Sequence, residues 1–359
     1  MIGVIVIKEK LNFNLKLYAA AAVNILIFSI LIAKPAICML GVKHGLSICA
    51  GQIIPALFPF CVLSAFLVES DIISLFSKYL SPFMKLFSLP EKCCAAVLLS
   101  FTGGYPVGAV TANSLYEQGD ITRDEYKRML LFCVNAGPAF VIGTVGSAIF
   151  KSTRAGIILF SSLTVSAIIT GILSGFIKKE EAKVSRKQEK SLNSLNEAFV
   201  KSVSSATNTT LNICAWIVLF SCILEFIESL ELSKTFKDFL ICASEVTRGC
   251  AVSTEYKNLP LTAFILGFAG LSVHMQVFKY INLSGLKYIH FFCSRIINAG
   301  FASIISFVIL KLVPSTQEVF GSITSPLPKT FSVSFLSAVC MLIMGLSFIL
   351  ELDRNLRKC

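Results

Sequence analysis

Apolar residues run along this chain in long stretches, which polar residues interrupt at only a few places. Such runs are too long for barrel strands and match the roughly 20 residues that a helix needs to cross a bilayer. The pattern predicts spanning helices at 15–33, 53–68, 129–150, 155–177, 207–227, 288–310 and 331–350. Glycine interrupts two more apolar stretches, 93–112 and 259–280, and two segments are amphipathic, 37–49 and 236–252. We therefore expect an all-α polytopic membrane protein with about 7–10 membrane segments.

One clear polar linker, 178–190, divides the chain into two halves. It carries six basic residues against three Glu, and the positive-inside bias places it in the cytosol. The domains expected are an N-terminal anchor helix (1–36), a first repeat (37–177), the linker (178–198), a second repeat (199–351) and a tail (352–359). The same bias accounts for the net charge of +11, so we expect membrane lipids and no nucleic acid as partners.

The stretch 93–112 begins and ends on the same side of the membrane. Lys8, Lys10 and Lys16 place the N-terminus in the cytosol, two crossings bring the chain back there, and the basic segment 117–128 is cytosolic as well. The stretch is therefore predicted to be a re-entrant hairpin. Its irregular backbone must be buried in protein or line a cavity, so the functional chemistry is expected there.

The two halves resemble each other at three places, in the same order. Residues 99–108 align with 266–274, 135–137 with 298–300, and 60–64 with 216–220. These matches predict two inverted repeats with broken or re-entrant helices, an architecture typical of secondary transporters. Segment 259–280 is then a second re-entrant hairpin, although the basic tail favours a full span there.

The tip of the first hairpin is rich in glycine. Gly103 and Gly104 allow unusual dihedral angles, and Pro106 suits the first position of the next helix. The free amides around Tyr105 and Val107 would favour an anion. The alternative is a tight turn that only allows close helix packing.

A second candidate element follows a capping box. Thr122 and Glu125 begin a helix, and Pro138 removes a backbone hydrogen bond and kinks that helix. A ligand or a cation could be held here by the freed carbonyl groups and the Asn135 amide, with Gly137 next to Pro138 as a further candidate. The alternative is a kink that only shapes the packing.

The second half contains polar residues inside apolar runs, where an ionisable side chain favours a functional role. The candidate substrate-binding residues there are Gly270, Ser272, His274, Gln276, Arg295 and Asn298. Arg295 is expected to meet either a carboxylate, with Glu225 and Glu245 as candidates, or an anionic substrate. Glu245 and Arg248 are spaced to pair with each other.

No motif for catalysis or for metal binding is present in the sequence. Most of the 13 cysteines lie in apolar runs, and no CxxC pair or Cys/His cluster occurs. HExxH, GxSxG and GxxxxGK[ST] are absent as well. We expect no enzyme activity, no metal, no cofactor and no primary active transport by this chain alone.

Five segments resemble the YlbJ-type sporulation integral membrane proteins, which carry the Gate, or nucleoside-recognition, domain and are distantly related to concentrative nucleoside transporters. They are 100–108, 115–119, 132–138, 142–146 and 270–276, and the resemblance extends over 53–308. The chain departs mildly from the family at 102–104 and at Met275. The resemblance implies a membrane protein of endospore formation that carries dipicolinic acid across the outer forespore membrane.

Several functions remain open at this point. The first hypothesis is a secondary transporter or facilitator of a small organic anion, with dipicolinate as the candidate substrate. A nucleoside or cation transporter of the same fold and a non-transporting sporulation scaffold are the alternatives. A homo-oligomer or other sporulation membrane proteins are the partners considered.

Overall fold

The computed structural model describes residues 32–70, 72–176 and 194–312, with the isolated positions 18, 21, 25 and 29. The expected anchor helix, linker, last span and tail lie wholly or largely outside these residues. Every regular element in the described ranges is a helix, which confirms the predicted all-α class. Five of the described helices are long and apolar enough to cross a membrane, and two shorter ones are also apolar.

Two long antiparallel helices form one side of the molecule. The first joins α1 (Pro35–Ile48) and α2 (Ile54–Glu69) through a π-helical stretch, and the second is α8 (Leu195–Ser229). A methyl group added to Gly41 or to Gly45 would lie within 2.7 Å of the α8 backbone, so these glycines permit close packing. The interpretation of 37–49 as amphipathic rather than spanning is therefore wrong, because Pro35–Ile53 is long and apolar enough to cross a membrane.

The rest of the first half contains two interruptions. Its elements are α3 (Ile73–Leu86), α4 (Cys94–Thr102), α5 (Val107–Glu117), α6 (Arg123–Phe132), a π-helix (Ala139–Ile149) and α7 (Thr153–Ser174). The Thr122–Glu125 capping box begins α6 as predicted. Residues 133–137 are not helical, so the predicted kink at Pro138 is in fact a break.

The second half repeats this order of elements after α8. It consists of α9 (Lys234–Ser244), α10 (Val246–Glu255), α11 (Leu259–Phe268), α12 (Gly270–Ser284) and α13 (Tyr288–Leu312). The single residue Ala269, with a φ of 74°, separates α11 from α12. A short hairpin, a broken helix and a long helix therefore follow one another in each half.

The first hairpin has the predicted position and shape. Helix α4 has 9 residues and α5 has 11, and at about 1.5 Å per residue neither crosses a hydrocarbon core of about 30 Å. The two helices fold back on each other, because a methyl group on Gly108 would lie 2.5 Å from the Cβ of Ser100.

The second hairpin lies elsewhere than predicted. Helices α9 and α10 fold back around Gly249, where an added methyl group would lie 2.9 Å from the Cα of Cys242. Helices α11 and α12 instead diverge, since α11 packs on α10 and α13 whereas α12 packs on α8 and α9. The re-entrant interpretation of 259–280 is therefore wrong, and this segment is a broken helix. Its glycines mark a break rather than a reversal of the chain.

The two broken helices run in opposite directions. The Arg123 Nε at the start of α6 donates a hydrogen bond of 2.7 Å to the Ser284 carbonyl at the end of α12. The Tyr126 hydroxyl also donates to the Tyr280 carbonyl, at 3.1 Å. The inverted orientation of the whole halves stays a prediction, and these contacts are compatible with it.

Candidate functional site

Each hairpin tip touches the break in the following helix. A methyl group on Gly104 would lie 3.0 Å from the Gly137 nitrogen. In the second half, a methyl group on Gly270 would lie 3.1 Å from the Val246 nitrogen and 3.2 Å from the Ser244 carbonyl oxygen. Gly104 and Gly270 have φ values of 79° and 66°, which favour glycine. The same backbone contact therefore occurs in both halves.

These contacts give a correspondence between the two halves that differs from the one predicted from the sequence. Hairpin 94–117 corresponds to 234–255, and the break at 133–137 corresponds to Ala269. The predicted match of 99–108 with 266–274 pairs a hairpin with a broken helix, and 298–300 lies inside the continuous helix α13. Both matches were wrong because glycine-interrupted apolar stretches resemble each other whatever their role.

The break after α11 leaves three consecutive carbonyl groups without helical partners, and three side chains satisfy them. The Tyr105 hydroxyl donates to Leu266 at 3.1 Å, and Asn298 Nδ2 donates to Gly267 at 3.2 Å. His274 Nε2 lies 3.0 Å from the Phe268 oxygen, so this nitrogen carries the proton. The polar residues singled out in the sequence therefore stabilise a helix end.

The break after α6 is stabilised by one arginine. Arg295 is fully buried, and its guanidinium donates to the Val134 carbonyl at 2.5 Å and also to that of Leu131. Asn135 Nδ2 donates to the Phe132 carbonyl at 2.8 Å. A cation also suits the negative end of a helix dipole. In the described residues Arg295 forms no ion pair with a carboxylate, so neither Glu225 nor Glu245 is its partner.

Asn298 and His274 complete their hydrogen bonds inside the protein. The Asn298 Oδ1 accepts from the Ser166 hydroxyl of α7 at 2.8 Å. His274 Nδ1 lies 3.0 Å from the Tyr288 hydroxyl, and aromatic rings surround the imidazole. These contacts tie α13 to α7 and to α12. A part for either residue in substrate binding stays a prediction.

A small cavity of about 40 Å³ lies where the two hairpin tips and the two breaks meet. Its lining residues are Ile53, Leu57, Gly104, Tyr105, Gly137, Phe140, Ile213, Ile217, Glu245, Val246, Thr247, Ser272, Val273 and Gln276. This meeting cavity brings together five of the predicted residues: Gly104, Tyr105, Gly137, Ser272 and Gln276. Asn135, His274, Arg295 and Asn298 do not line it.

The remaining candidates flank this cavity. Gly103, Pro106 and Val107 belong to the first tip, and Pro138 and Gly270 stand beside the two breaks. Ser272 is 1% exposed, and its hydroxyl has no hydrogen-bond partner among the described residues. An unpaired hydroxyl in a cavity is the kind of group that a ligand satisfies.

Among the described residues that line the meeting cavity, Glu245 carries the one carboxyl group. The sequence did not predict this residue at the site. It is 2% exposed at the second tip, and its carboxylate accepts from the Arg248 amide at 2.8 Å. The Arg248 guanidinium pairs instead with Glu225, at 2.9 Å, and with Glu228. Glu225 also lies 2.8 Å from His44 of α1. The expected Glu245–Arg248 pair is thus a backbone cap, a role that its position before a helix could have indicated.

A second small cavity lies beside two of the same helices, α2 and α8, and shares no lining residue with the first. This hydroxyl-lined cavity of about 30 Å³ lies between α2, α5 and α8, and its polar lining is Ser64, Glu69, Thr111, Ser114, Ser205 and Thr209. Leu57 of α2 and Ile213 of α8 line the meeting cavity, one to two turns away. The two cavities therefore form a partly polar series along one interface.

A third, larger cavity of about 570 Å³ lies between α6, α7 and α13, and none of the predicted residues line it. Its cations have internal partners: Arg128 donates to the carbonyl groups of Ser174 and Ser88, each at 3.1 Å. Lys127 lies 3.5 Å from Asp124. We therefore place the candidate site at the meeting cavity.

Two comparisons with known proteins found a match. Residues 50–180, which contain the first hairpin and the first broken helix, match the family described as Gate, nucleoside recognition. The chain is 24% identical over 331 residues to the sporulation integral membrane protein YlbJ of Bacillus subtilis, covering 79% of this chain and 81% of that protein. The chain is thus similar to YlbJ over most of its length. No solved structure matches it.

The similarity to YlbJ confirms the resemblance found in the sequence. It extends well beyond the Gate match, since it covers 79% of this chain. Together with the apolar helices, it identifies the chain as an integral membrane protein.

Proposed function

We propose that this protein is a secondary transporter or facilitator of a small organic anion during sporulation. Dipicolinate is the first candidate substrate, and the outer forespore membrane is the proposed location. The resemblance to a sporulation membrane protein supports the setting, and the meeting cavity supports the activity.

The observation that carries the proposal is the convergence of helix N-termini on one cavity. Val246 and Thr247 begin α10, Ser272 and Val273 lie in the first turn of α12, and Phe140 lies in the first turn of the π-helix. Amide groups at helix starts favour carboxylates, and the unpaired Ser272 hydroxyl adds a donor. Broken helices that aim their N-termini at one point are the usual solute site of secondary transporters.

The described conformation is closed. A cavity of about 40 Å³ accommodates little more than one water, whose share of liquid volume is about 30 Å³. An aromatic dicarboxylate therefore requires the hairpin tips to move apart. The hydroxyl-lined cavity extends along α2, α5 and α8, and displacement of α5 would join it to the first cavity and provide a route.

The test is uptake of dipicolinate by liposomes that contain the purified full chain. We expect saturable uptake that protein-free liposomes lack, and Ser272→Ala should weaken substrate binding several-fold. Ser162→Ala is the matched control, because this buried hydroxyl bonds to the Ile158 carbonyl of its own helix. A folded wild-type protein with neither flux nor saturable binding would contradict the proposal and favour a scaffold.

A second candidate function is transport of an uncharged polar solute such as a nucleoside. Glu245 favours it, because the described lining of the cavity contains a carboxyl group and no cationic side chain. The description of the matching family points in the same direction. Uridine uptake that excess dipicolinate leaves unaffected would select this function over the first.

A further inference from the structure

Glu245 occupies the place where the substrate is expected. Its carboxylate caps α10 from inside the meeting cavity, so it takes the amide that an incoming anion would use. Ser272, from the facing helix α12, contributes an unpaired hydroxyl to the same small space. An anionic substrate must therefore either displace Glu245 or lie directly beside it.

Thr247 and the Arg248 amide hydrogen-bond to Glu245, but the groups around its carboxylate offer little compensating charge. The titratable neighbours are the thiols of Cys49 and Cys250, the Tyr105 phenol and the Arg248 guanidinium. The first three are neutral near pH 7, and two other carboxylates already bind Arg248. A buried carboxylate without a cation of its own is costly, and binding a proton removes that cost.

We propose that Glu245 carries the proton of a proton–anion symport, an inference that rests on the proposed function. One proton from the water on the entry side binds the carboxylate and gives the neutral acid. The substrate carboxylate then takes the freed amide at the start of α10. On the opposite side the substrate leaves, and Glu245 returns its proton to water and caps the helix again.

The experiment compares two modes of dipicolinate movement in liposomes with the membrane potential clamped. For the wild type, an inward gradient of one pH unit should raise accumulation up to about tenfold per coupled proton. Glu245→Gln should abolish this stimulation while dipicolinate exchange without a gradient persists. A pH dye inside the vesicles should report proton entry with dipicolinate for the wild type only.

Glu228→Gln is the matched control, because this carboxyl group pairs with Arg248 outside the cavity. It should retain the stimulation by the proton gradient. If Glu245→Gln is still driven by the gradient, or if a folded Glu245→Gln protein loses exchange as well, the proton-carrier role is overturned. Absence of all dipicolinate flux in the wild type would instead reject the proposed function, and the inference with it.

Discussion

Both broken helices leave buried carbonyl groups without helical partners, and different side chains satisfy these groups in the two halves. The first break extends over residues 133–137, and the long Arg295 side chain reaches the Val134 carbonyl in the break and the Leu131 carbonyl in the last turn of α6. The second break is a single residue, and three uncharged side chains from three elements each satisfy one carbonyl group. An extended break needs a side chain with several donors, whereas a short break can be satisfied one bond at a time.

The donors also connect the halves. Arg295 belongs to the second half and stabilises the first break, whereas Tyr105 belongs to the first hairpin and stabilises the second break. Movement of the first hairpin must therefore break the Tyr105 bond, while the Arg295 bonds can persist. We expect the first break to be the more rigid of the two.

The largest expected effect comes from Arg295. Arg295→Met leaves two buried carbonyl groups unpaired, at about 1–3 kcal/mol each, so the free energy of unfolding should fall by roughly 3–5 kcal/mol. Unfolding of the full chain in detergent micelles measures this, with Arg295→Lys expected to be intermediate. An unchanged free energy of unfolding would show that the first break does not depend on this side chain.

Gly108 tests the packing of the first hairpin on the first break. A methyl group there would lie 2.1 Å from the Cys133 carbonyl, so Gly108→Ala should cost about 3 kcal/mol. The counterpart Gly249→Ala, with its nearest backbone atom at 2.9 Å, should cost less. Equal losses in the same unfolding measurement would contradict the tighter packing of the first hairpin.

Tyr105→Phe removes one donor from the second break. Because the Leu266 carbonyl then lies buried without this partner, we expect a loss of about 1–2 kcal/mol in the free energy of unfolding. The variant should also ease separation of the first hairpin, which hydrogen exchange of the 103–107 amides would report. Unchanged exchange would mean that this bond does not hold the hairpin closed.

The smallest effect is expected for a glycine outside both breaks. Apart from the neighbouring backbone of α13, no heavy atom of the described residues lies within 4 Å of a methyl group added to Gly300, so Gly300→Ala should stabilise the protein by about 0.4–1 kcal/mol. Gly267→Ala, whose methyl group would lie 2.7 Å from the Ala299 Cα, should destabilise it. A loss at Gly300 comparable to that at Gly267 would remove the distinction between the two.

Part of this arrangement could be predicted from the sequence. The topology derived from basic residues located the first hairpin, and Gly104, Tyr105 and Gly137 lie together as expected. The second hairpin was misplaced because residues 234–255 contain enough polar side chains to look like a surface helix. Glu245 was missed for the same reason, since its neighbour Arg248 suggested a local ion pair.

The sequence by itself determined the class of protein, most of the apolar helical segments and the first hairpin. Those follow from apolar run length, charge distribution and local glycine and proline, which act over short distances along the chain. The tertiary structure decided which polar residues serve the fold and which face the cavity. Arg295, His274 and Asn298 seemed suited to a substrate, but the carbonyl groups that they satisfy lie on other elements. Unpaired carbonyl groups at a buried helix end become visible only once the helices are packed.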